Sequence, residues 1–282
     1  MTAVETLLAG LIDYAGLYPP ASLDMRTAVA NYLRYREGKH RAALGRFIVS
    51  ADRIGELRSA AGDAFAGMRL SAIIPTDVDA EVVEELLDGC KDLAFECKVG
   101  EPAEVERISA QIAGRTRCYF EIPMGIDEHW VAAIKASGAR VKLRMGGVVA
   151  EAFPQAGAVA VMLQVLAERH IAFKATAGLH HPIRSRHPFT YDSNSATGIM
   201  HGFLNLAFAA TLLQSGGASD EALQMLEVED LRAWRVWQDA IACRGVNWST
   251  DQIRAMREQF FISFGSCSFE EPIRDLEVLG WL

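Results

Sequence analysis

The chain has 282 residues, of which half are hydrophobic and 23% are charged, and its formal net charge is −8 at pH 7. This length suits one (β/α)₈ barrel of ~250 residues or two smaller domains. The acidic balance argues against a nucleic-acid partner, because a phosphate backbone is bound by a basic surface. No run of about 18 apolar residues occurs, so no membrane span is expected, and the N-terminus lacks the basic segment of a signal peptide.

The five cysteines are odd in number and show no CxxC spacing. A disulfide framework or a zinc knuckle is therefore not expected. Buried, reduced thiols fit a cytoplasmic location better.

Residues 1–45 are predicted to form a helical leader that packs across one end of a barrel. The apolar stretch 4–12 precedes the segment DYAGLYPP at 13–20, whose two prolines argue against a regular element. A helix is expected over 25–37, with Asp24 as its N-cap.

From residue 47 onward, short β-forming runs alternate with amphipathic helical stretches, a pattern that indicates a parallel sheet. Residues 200–214 read either as a short strand entering a helix or as one helix, and 220–242 read as a long helix. We predict an α/β fold: a single (β/α)₈ TIM-type barrel over 1–282, with an irregular seventh unit. The six clear strands begin near residues 47, 70, 93, 118, 140 and 171, and an eighth is expected at 260–264.

Ionisable residues lie near the C-terminal ends of four consecutive predicted strands. Side chains alternate between the two faces of a strand, so residues two apart point the same way. In a barrel of parallel strands this end carries the active site. The residues that share a face in this way are Glu96 with Lys98, Glu121 with Tyr119, Lys142 with Arg144, and Lys174 with Thr176.

Cations outnumber acids in this set, although the whole chain is acidic. The excess predicts a small anionic substrate, such as a carboxylate or phosphate, with Arg144 and Lys98 as an anion clamp. The turn with Gly265 and Ser266 lies after the eighth strand and before a helix, where many barrels bind phosphate. In the opposing interpretation these charged residues have a structural role. They either form ion pairs in the barrel core or point toward the helices with their charged ends in solvent.

Lys174 is the expected nucleophile. Crowding by Lys142 and partial burial would lower the pKa of Lys174, and a neutral amine can attack a carbonyl to form a Schiff base. Glu121 and Glu96 would transfer protons if burial raises their pKa toward neutrality.

The segment KATAG at 174–178 resembles the Schiff-base strand of class I aldolases of the deoxyribose-phosphate type, which carries a Lys-Thr-x-Thr-Gly run. Ala175 and Ala177 stand here in place of the two threonines. The resemblance implies a barrel and a lysine that forms an imine. More broadly, the three segments DYAGLYPP, KATAGLHHP and FGSCSFEEP resemble a bacterial family with a barrel-like fold.

Polar residues after the sixth clear strand complete the predicted site. His180, His181 and Asn205 lie there, and the loop 179–200 has the length of a lid or binding loop. Contact with substrate is the favoured role of both histidines. A divalent metal held by Glu96, Glu121 and a histidine is the alternative, although no dedicated metal motif is present.

Three functional hypotheses follow. The first is a Schiff-base lyase of the aldolase type, acting without a cofactor on a small anionic carbonyl compound such as a keto acid or sugar phosphate. The second is an enolising enzyme in which Glu96 and Glu121 hold Mg²⁺ or another divalent metal and Lys174 is the base. The third is a barrel that binds a metabolite without catalysis. A homo-oligomer is compatible with each.

Overall fold

The computed structural model describes residues 1–112 and 114–282, and its centre is a closed barrel of eight parallel strands. The predicted TIM-type barrel is thereby confirmed. In chain order the barrel strands are β1 (Ile12–Tyr14), β2 (Leu44–Ser50), β3 (Arg69–Ile74), β4 (Asp92–Lys98), β5 (Arg117–Glu121), β6 (Arg140–Arg144), β7 (Phe173–Thr176) and β13 (Phe261–Ser266).

Helices surround the barrel and alternate with its strands. The short helix α1 (Ala3–Leu8) precedes β1 and begins with a capping box from Thr2. Asp24 caps the next helix by accepting from the backbone N–H of Thr27, as predicted. The helices before β7 are α2 (Met25–Glu37), α3 (Ile54–Ala61), α4 (Ala80–Gly89), α5 (Pro102–Ile112), α6 (Glu128–Ser137) and α7 (Ala156–Glu168), and α11 (Glu270–Val278) closes the chain.

The leader supplies a barrel strand, which the sequence analysis did not predict. β1 pairs in parallel with both β2 and β13, and so completes the ring. With only three residues, this strand is too short to show an alternating pattern. The six clear strands are therefore the second to seventh of the barrel.

A long segment with its own secondary structure joins β7 to β13. After an antiparallel hairpin of β8 (Ser185–Pro188) and β9 (Thr197–Met200), the chain forms three helices and a three-stranded antiparallel sheet. No barrel strand comes from 200–214, which lies mostly in helix. The further elements are α8 (Phe203–Gln214), α9 (Ser219–Leu226), β10 (Trp234–Val236), β11 (Ala240–Cys243), β12 (Val246–Ser249) and α10 (Thr250–Gln259).

The prediction of a long helix over 220–242 is wrong beyond Leu226, where α9 ends. Residues there form β10 and β11 instead. A two-residue turn at Arg244 and Gly245, with φ of 51° and 84°, joins β11 to β12. Positive φ at both positions is the geometry of a tight β-hairpin, and Arg at the first of them is an unusual signal for such a turn.

Two apolar helices cover this side of the barrel. Every residue from Phe203 to Leu213 in α8 is buried, so the helix has no polar face. The stretch Ala150–Glu168, which includes α7, has the length and hydropathy of a membrane-spanning helix. Core helices pass the same test, and this stretch is interrupted by a 3₁₀ turn and by Pro154 before α7 begins.

Strand alternation separates an apolar layer from a charged interior. Phe47, Phe95, Phe120 and Phe173 are fully buried in the hydrophobic core beneath the helices. The alternate positions of β4 to β7 face the barrel axis, and they carry the ionisable residues noted in the sequence. The fold thereby brings those side chains together.

Candidate active site

The deepest part of the charged interior is an ion-pair network around Lys174. Its Nζ atom lies 2.6 Å from Oδ2 of Asp13 and 2.6 Å from Oε1 of Glu96. The two carboxylates are themselves bonded by hydroxyls, since Ser263 donates to Asp13 at 2.7 Å and Ser71 donates to Glu96 at 2.6 Å. Lys174 is only 1% exposed, so its ammonium is enclosed by these partners.

The pKa values of Lys174 and Glu96 are shifted in the opposite directions to those expected from the sequence. Burial favours the neutral amine of Lys174, but Asp13 and Glu96 outweigh it and raise the pKa of the lysine above its ordinary value. Burial likewise opposes ionisation of Glu96, but Lys142 and Lys174 hold the pKa of this carboxyl well below its usual range. The predicted lowering of the lysine pKa and raising of the glutamate pKa are wrong, because opposite charges surround each group.

A second layer lies above the first and is centred on Lys142. Its Nζ atom lies 2.8 Å from Oε2 of Glu96 and 3.0 Å from Oε2 of Glu121. Glu121 also accepts from Nε of Arg144 at 2.8 Å. Burial opposes ionisation of Glu121, but Lys142 and Arg144 outweigh it and lower the pKa of the carboxyl. Glu96 thus bridges the two lysines through its two oxygens.

A cavity of about 440 Å³ opens at the C-terminal end of the barrel, where this second layer forms part of its wall. Such a volume is typical of a site for a small molecule. Lys142 lines the cavity and Lys174 does not. The polar or ionisable lining residues are Tyr18, Glu96, Lys98, Glu121, Lys142, Arg144, Thr176, His180 and Cys267.

The predicted anion clamp lies at the rim of this cavity. Arg144 is half exposed and, apart from its bond to Glu121, contacts the carbonyl of Gly146 at 3.5 Å. Lys98 is exposed, and within the residues that the structure describes it forms no ion pair. Both cations can therefore turn toward an anion in the cavity.

Only some of the remaining predicted site residues line the main cavity. Thr176, His180 and Gly265 line the main cavity, whereas His181 lines a neighbouring cavity of about 180 Å³. Asn205 does not reach either cavity, because it is fully buried in α8. It accepts from the backbone N–H of Arg184 and donates to the carbonyls of Met225 and Val228. Ser266 is buried at the end of β13 and does not line the cavity.

His180 belongs to a polar cluster beside the cavity mouth. Its Nδ1 atom lies 3.0 Å from Oε2 of Glu271 and 4.0 Å from Sγ of Cys267. Tyr191 donates to the same glutamate at 2.9 Å. Burial disfavours the charged imidazole, but contacts with Cys267 and Glu271 outweigh it and raise the pKa of His180 to about 9. His181 pairs separately with Asp275 at 2.6 Å.

Several site residues were missed by sequence reasoning. Asp13 and Tyr18 lie in the DYAGLYPP segment, which was treated as irregular leader. Tyr18 lines the main cavity, where burial and the nearby Glu96 raise its pKa above the ordinary value. Cys267 also lines the cavity, and like the other four cysteines it is free and buried. The acidic residue in a short apolar run, Ile12-Asp13-Tyr14, was the only available signal for β1.

Glu96 and Glu121, which the sequence analysis considered as metal ligands, contact an ammonium group instead. Within residues 1–112 and 114–282, no group of three or more His, Cys, Asp or Glu side chains is arranged to hold a metal ion. Glu96 and Glu121 are bridged by the ammonium of Lys142, so a divalent cation would have to displace it. This donor set does not fit Mg²⁺, which prefers several oxygen ligands around one octahedral centre.

Comparisons with known proteins find similar chains among solved structures. No protein-family model and no curated protein sequence matches the chain. The chain is similar to deoxyribose phosphate aldolase from Aeropyrum pernix, described as having a unique tetrameric structure, at 14% identity over 80% of this chain and 96% of that chain, with a TM-score of 0.45. A FabK mutant from Thermotoga maritima is similar at 15% identity over 64% and 59% of the two chains, with a TM-score of 0.38. The barrel fold itself is shown by the closed ring of eight parallel strands.

Proposed function

We propose that this protein is a Schiff-base lyase of the aldolase type that acts on a small anionic carbonyl compound. The observation that carries the proposal is the position of Lys142, whose Nζ atom lies between two carboxylates in the wall of the main cavity. A primary amine beside proton acceptors, in the wall of a cavity of suitable size, is the arrangement that imine chemistry requires. Lys142 is 5% exposed, against 1% for Lys174.

The choice of nucleophile depends on access. Sequence reasoning assigned the nucleophile to Lys174 and the tuning role to Lys142. Lys174 is enclosed by Asp13 and Glu96 and does not line the cavity, whereas Lys142 does. The proposal therefore exchanges the two roles: Lys142 attacks the substrate, and Lys174 fixes Glu96 beneath it.

Imine formation uses the two glutamates as proton carriers. Lys142 passes a proton to Glu121 or Glu96, and its free electron pair attacks the carbonyl carbon. Nζ gives up a second proton to a carboxylate as the carbinolamine forms; protonation of the carbinolamine oxygen and loss of water then leave a protonated imine between Nζ and the substrate carbon. Both carboxylates lie within 3.0 Å of Nζ, so each proton moves over a single contact.

Carbon–carbon cleavage follows from the same positions. A carboxylate removes the proton of the β-hydroxyl, the carbon–carbon bond breaks, and its electron pair moves into the imine to form an enamine. Protonation of the enamine carbon and addition of water then release the second product and restore the lysine. Contacts of Glu121 with both Lys142 and the exposed Arg144 support its role in these transfers.

The substrate is expected to be a keto acid or a sugar phosphate. Lys98 and Arg144 stand at the rim of the cavity and supply positive charge for a carboxylate or phosphate. Thr176, His180 and Gly265 complete the wall on the β7 and β13 side. His181, Asn205 and Ser266 remain predicted contacts that would need movement of the surrounding segments to reach the ligand.

Borohydride trapping tests the proposal. Incubation of the protein with candidate keto acids or sugar phosphates, followed by reduction and peptide mass spectrometry, should place the adduct on Lys142. Lys142→Met should abolish both the adduct and turnover, whereas Lys135→Met, at the exposed end of α6, should leave both unchanged. An adduct on Lys174 would restore the sequence-based assignment, and the absence of any adduct with all substrates would reject imine chemistry.

The second candidate is a barrel that binds a metabolite without catalysis. It is favoured by the fact that both interior lysines are paired with carboxylates, as a purely structural charge network would be. This candidate predicts that Lys142→Met retains ligand binding, measured by calorimetry, and that no turnover is found with any bound compound.

Location and assembly are part of the proposal. The five free, buried cysteines support a reducing cytoplasm. Leu231 and Trp237, beside the three-stranded sheet, are both more than half exposed, which supports a homo-oligomer that covers them. Light scattering after size-exclusion chromatography measures the oligomeric state directly.

A further inference from the structure

A second cavity lies at the opposite end of the barrel from the candidate active site. It measures about 600 Å³ and is formed by the N-terminal ends of β4, β5 and β6 with the loops that precede them. We name its charged residues the basic pole: Arg46, Lys91, Asp92, Arg115, Arg117 and Arg140. No residue of this set has a role in the proposed reaction.

The basic pole concentrates positive charge in an acidic protein. Five of its six members are cationic, whereas the formal net charge of the chain is −8. The single acidic member, Asp92, is shared between Arg46 at 2.6 Å and Arg69 at 3.2 Å. Burial raises the pKa of Asp92, but these two guanidinium groups outweigh it and lower the pKa.

Three cations at the pole have no acidic partner within the residues described. The side chains of Lys91 and Arg117 are exposed and form no hydrogen bond or ion pair within the described residues. The side chain of Arg140 donates to the hydroxyl of Tyr119 at 3.2 Å. Arg115 differs, since it forms a bidentate pair with Glu84 at 2.6 Å for both contacts. Like charges that line one cavity repel each other, and a bound anion would remove this repulsion.

A buried hydroxyl points to a ligand independently of the charges. Ser109, on α5, lines the same cavity, and its Oγ atom is buried without a hydrogen-bond partner in the described part of the chain. Buried polar groups are normally satisfied, so an orphaned hydroxyl in a cavity wall suits a ligand oxygen. The cavity volume lies in the range of small-molecule sites.

We propose that the basic pole binds a small metabolite with more than one phosphate group. Guanidinium groups match phosphate oxygens in bidentate geometry, and the number of unpaired cations exceeds what one phosphate needs. The site is separate from the proposed active site, and it stands whether or not the imine chemistry is correct.

Pyrophosphate binding measured by isothermal titration calorimetry tests the proposal. Wild type should bind pyrophosphate more tightly than inorganic phosphate or sulfate at equal ionic strength. The variant Lys91→Gln/Arg117→Gln should bind pyrophosphate at least about tenfold more weakly, because two charge-assisted contacts are lost. Both side chains are exposed, so the variant should keep the fold, which circular dichroism checks.

Two control variants separate this site from other anion binding. Arg274→Gln, on the exposed face of α11, should leave pyrophosphate binding unchanged, since Arg274 lies outside the pole. Lys98→Gln, at the active-site rim, should also retain the pole's binding event. The proposal is overturned if wild type shows no binding, if the double variant binds as tightly as wild type, or if only Lys98→Gln weakens binding.

Discussion

At the residue scale, the carboxylate of Asp13 distinguishes the two interior lysines, because it pairs with Lys174. Asp13 and Glu96 enclose Lys174, and Glu96 reaches Lys142 through its other oxygen. An isolated buried ammonium would be costly, so the pairing with Asp13 is what allows Lys174 to remain charged with 1% exposure. Lys142 pairs with Glu96 and Glu121 and lines the cavity.

The pH dependence of stability should report the pairing of His180. The pKa of His180 is about 9 in the folded protein and about 6.5 when unfolded, so its protonated form is favoured by folding. Its contribution to stability is therefore complete below pH 6.5 and is lost as pH rises through 9. The difference in unfolding free energy between wild type and His180→Gln should be largest at pH 6 and shrink by pH 10.

The control for this measurement is a substitution that changes no titrating group. Asn194→Gln, at an exposed position between β8 and β9, should show the same small difference from wild type at every pH. A His180→Gln difference that stays constant between pH 6 and 10 would show that the cluster with Glu271 does not hold the proton.

At the element scale, β1 is the shortest strand of the barrel, and its position depends on close contact with β2. Gly45 of β2 lies against β1 so closely that an added Cβ would overlap Oδ1 of Asp13 and lie 3.1 Å from the carbonyl oxygen of Ile12. The absence of a side chain at this position lets the backbone of Arg46 donate to Asp13 at 2.7 Å.

Replacement of Gly45 by alanine should therefore destabilise the barrel. We expect Gly45→Ala to lower the unfolding free energy by about 1–3 kcal/mol, the usual cost of overpacking a core. Chemical denaturation measures the change. Gly55→Ala is the matched control, since a Cβ at Gly55 in α3 would meet no atom within 4 Å and the helix should gain up to about 1 kcal/mol. Equal effects of the two substitutions would contradict the tight contact.

At the scale of the whole molecule, charge is distributed between the two ends of the barrel. The active-site end holds balanced ion pairs with a cationic rim, whereas the opposite end carries the basic pole. The remaining surface must therefore carry the acidic excess of the chain. This distribution is the reason that both proposed ligands are small anions, since a local positive potential attracts them.

The interior ion pairs should make the protein sensitive to acid. The pKa of Glu121 is lowered in the folded state, so its contribution is present above the ordinary carboxyl pKa of about 4.3 and is lost as pH falls below it. Unfolding free energy measured at pH 7, 5, 4 and 3 should fall steeply below pH 4 in wild type and less steeply in Glu121→Gln. Glu85→Gln, exposed on α4, should follow wild type, and identical slopes in all three proteins would contradict the proposed linkage.

The sequence alone predicted most of the architecture, because strands and helices leave local periodic patterns. It located β2 to β7 and β13, and it predicted that Glu96, Lys142 and Lys174 lie near C-terminal strand ends on faces shared with other polar residues. It could not reveal β1, whose three residues are too few for a pattern, or the β10 to β12 sheet, whose turn at Arg244 is atypical.

The roles of the interior charges depended on closure of the barrel. Asp13 meets Lys174 across 161 residues of chain, and no local pattern encodes a contact of that separation. Together with Glu96, Asp13 reverses the expected pKa shift of Lys174 and encloses its ammonium, whereas Lys142 lines the cavity. Backbone periodicity is a local property, whereas the field at an ionisable group is a sum over neighbours that only the folded chain assembles.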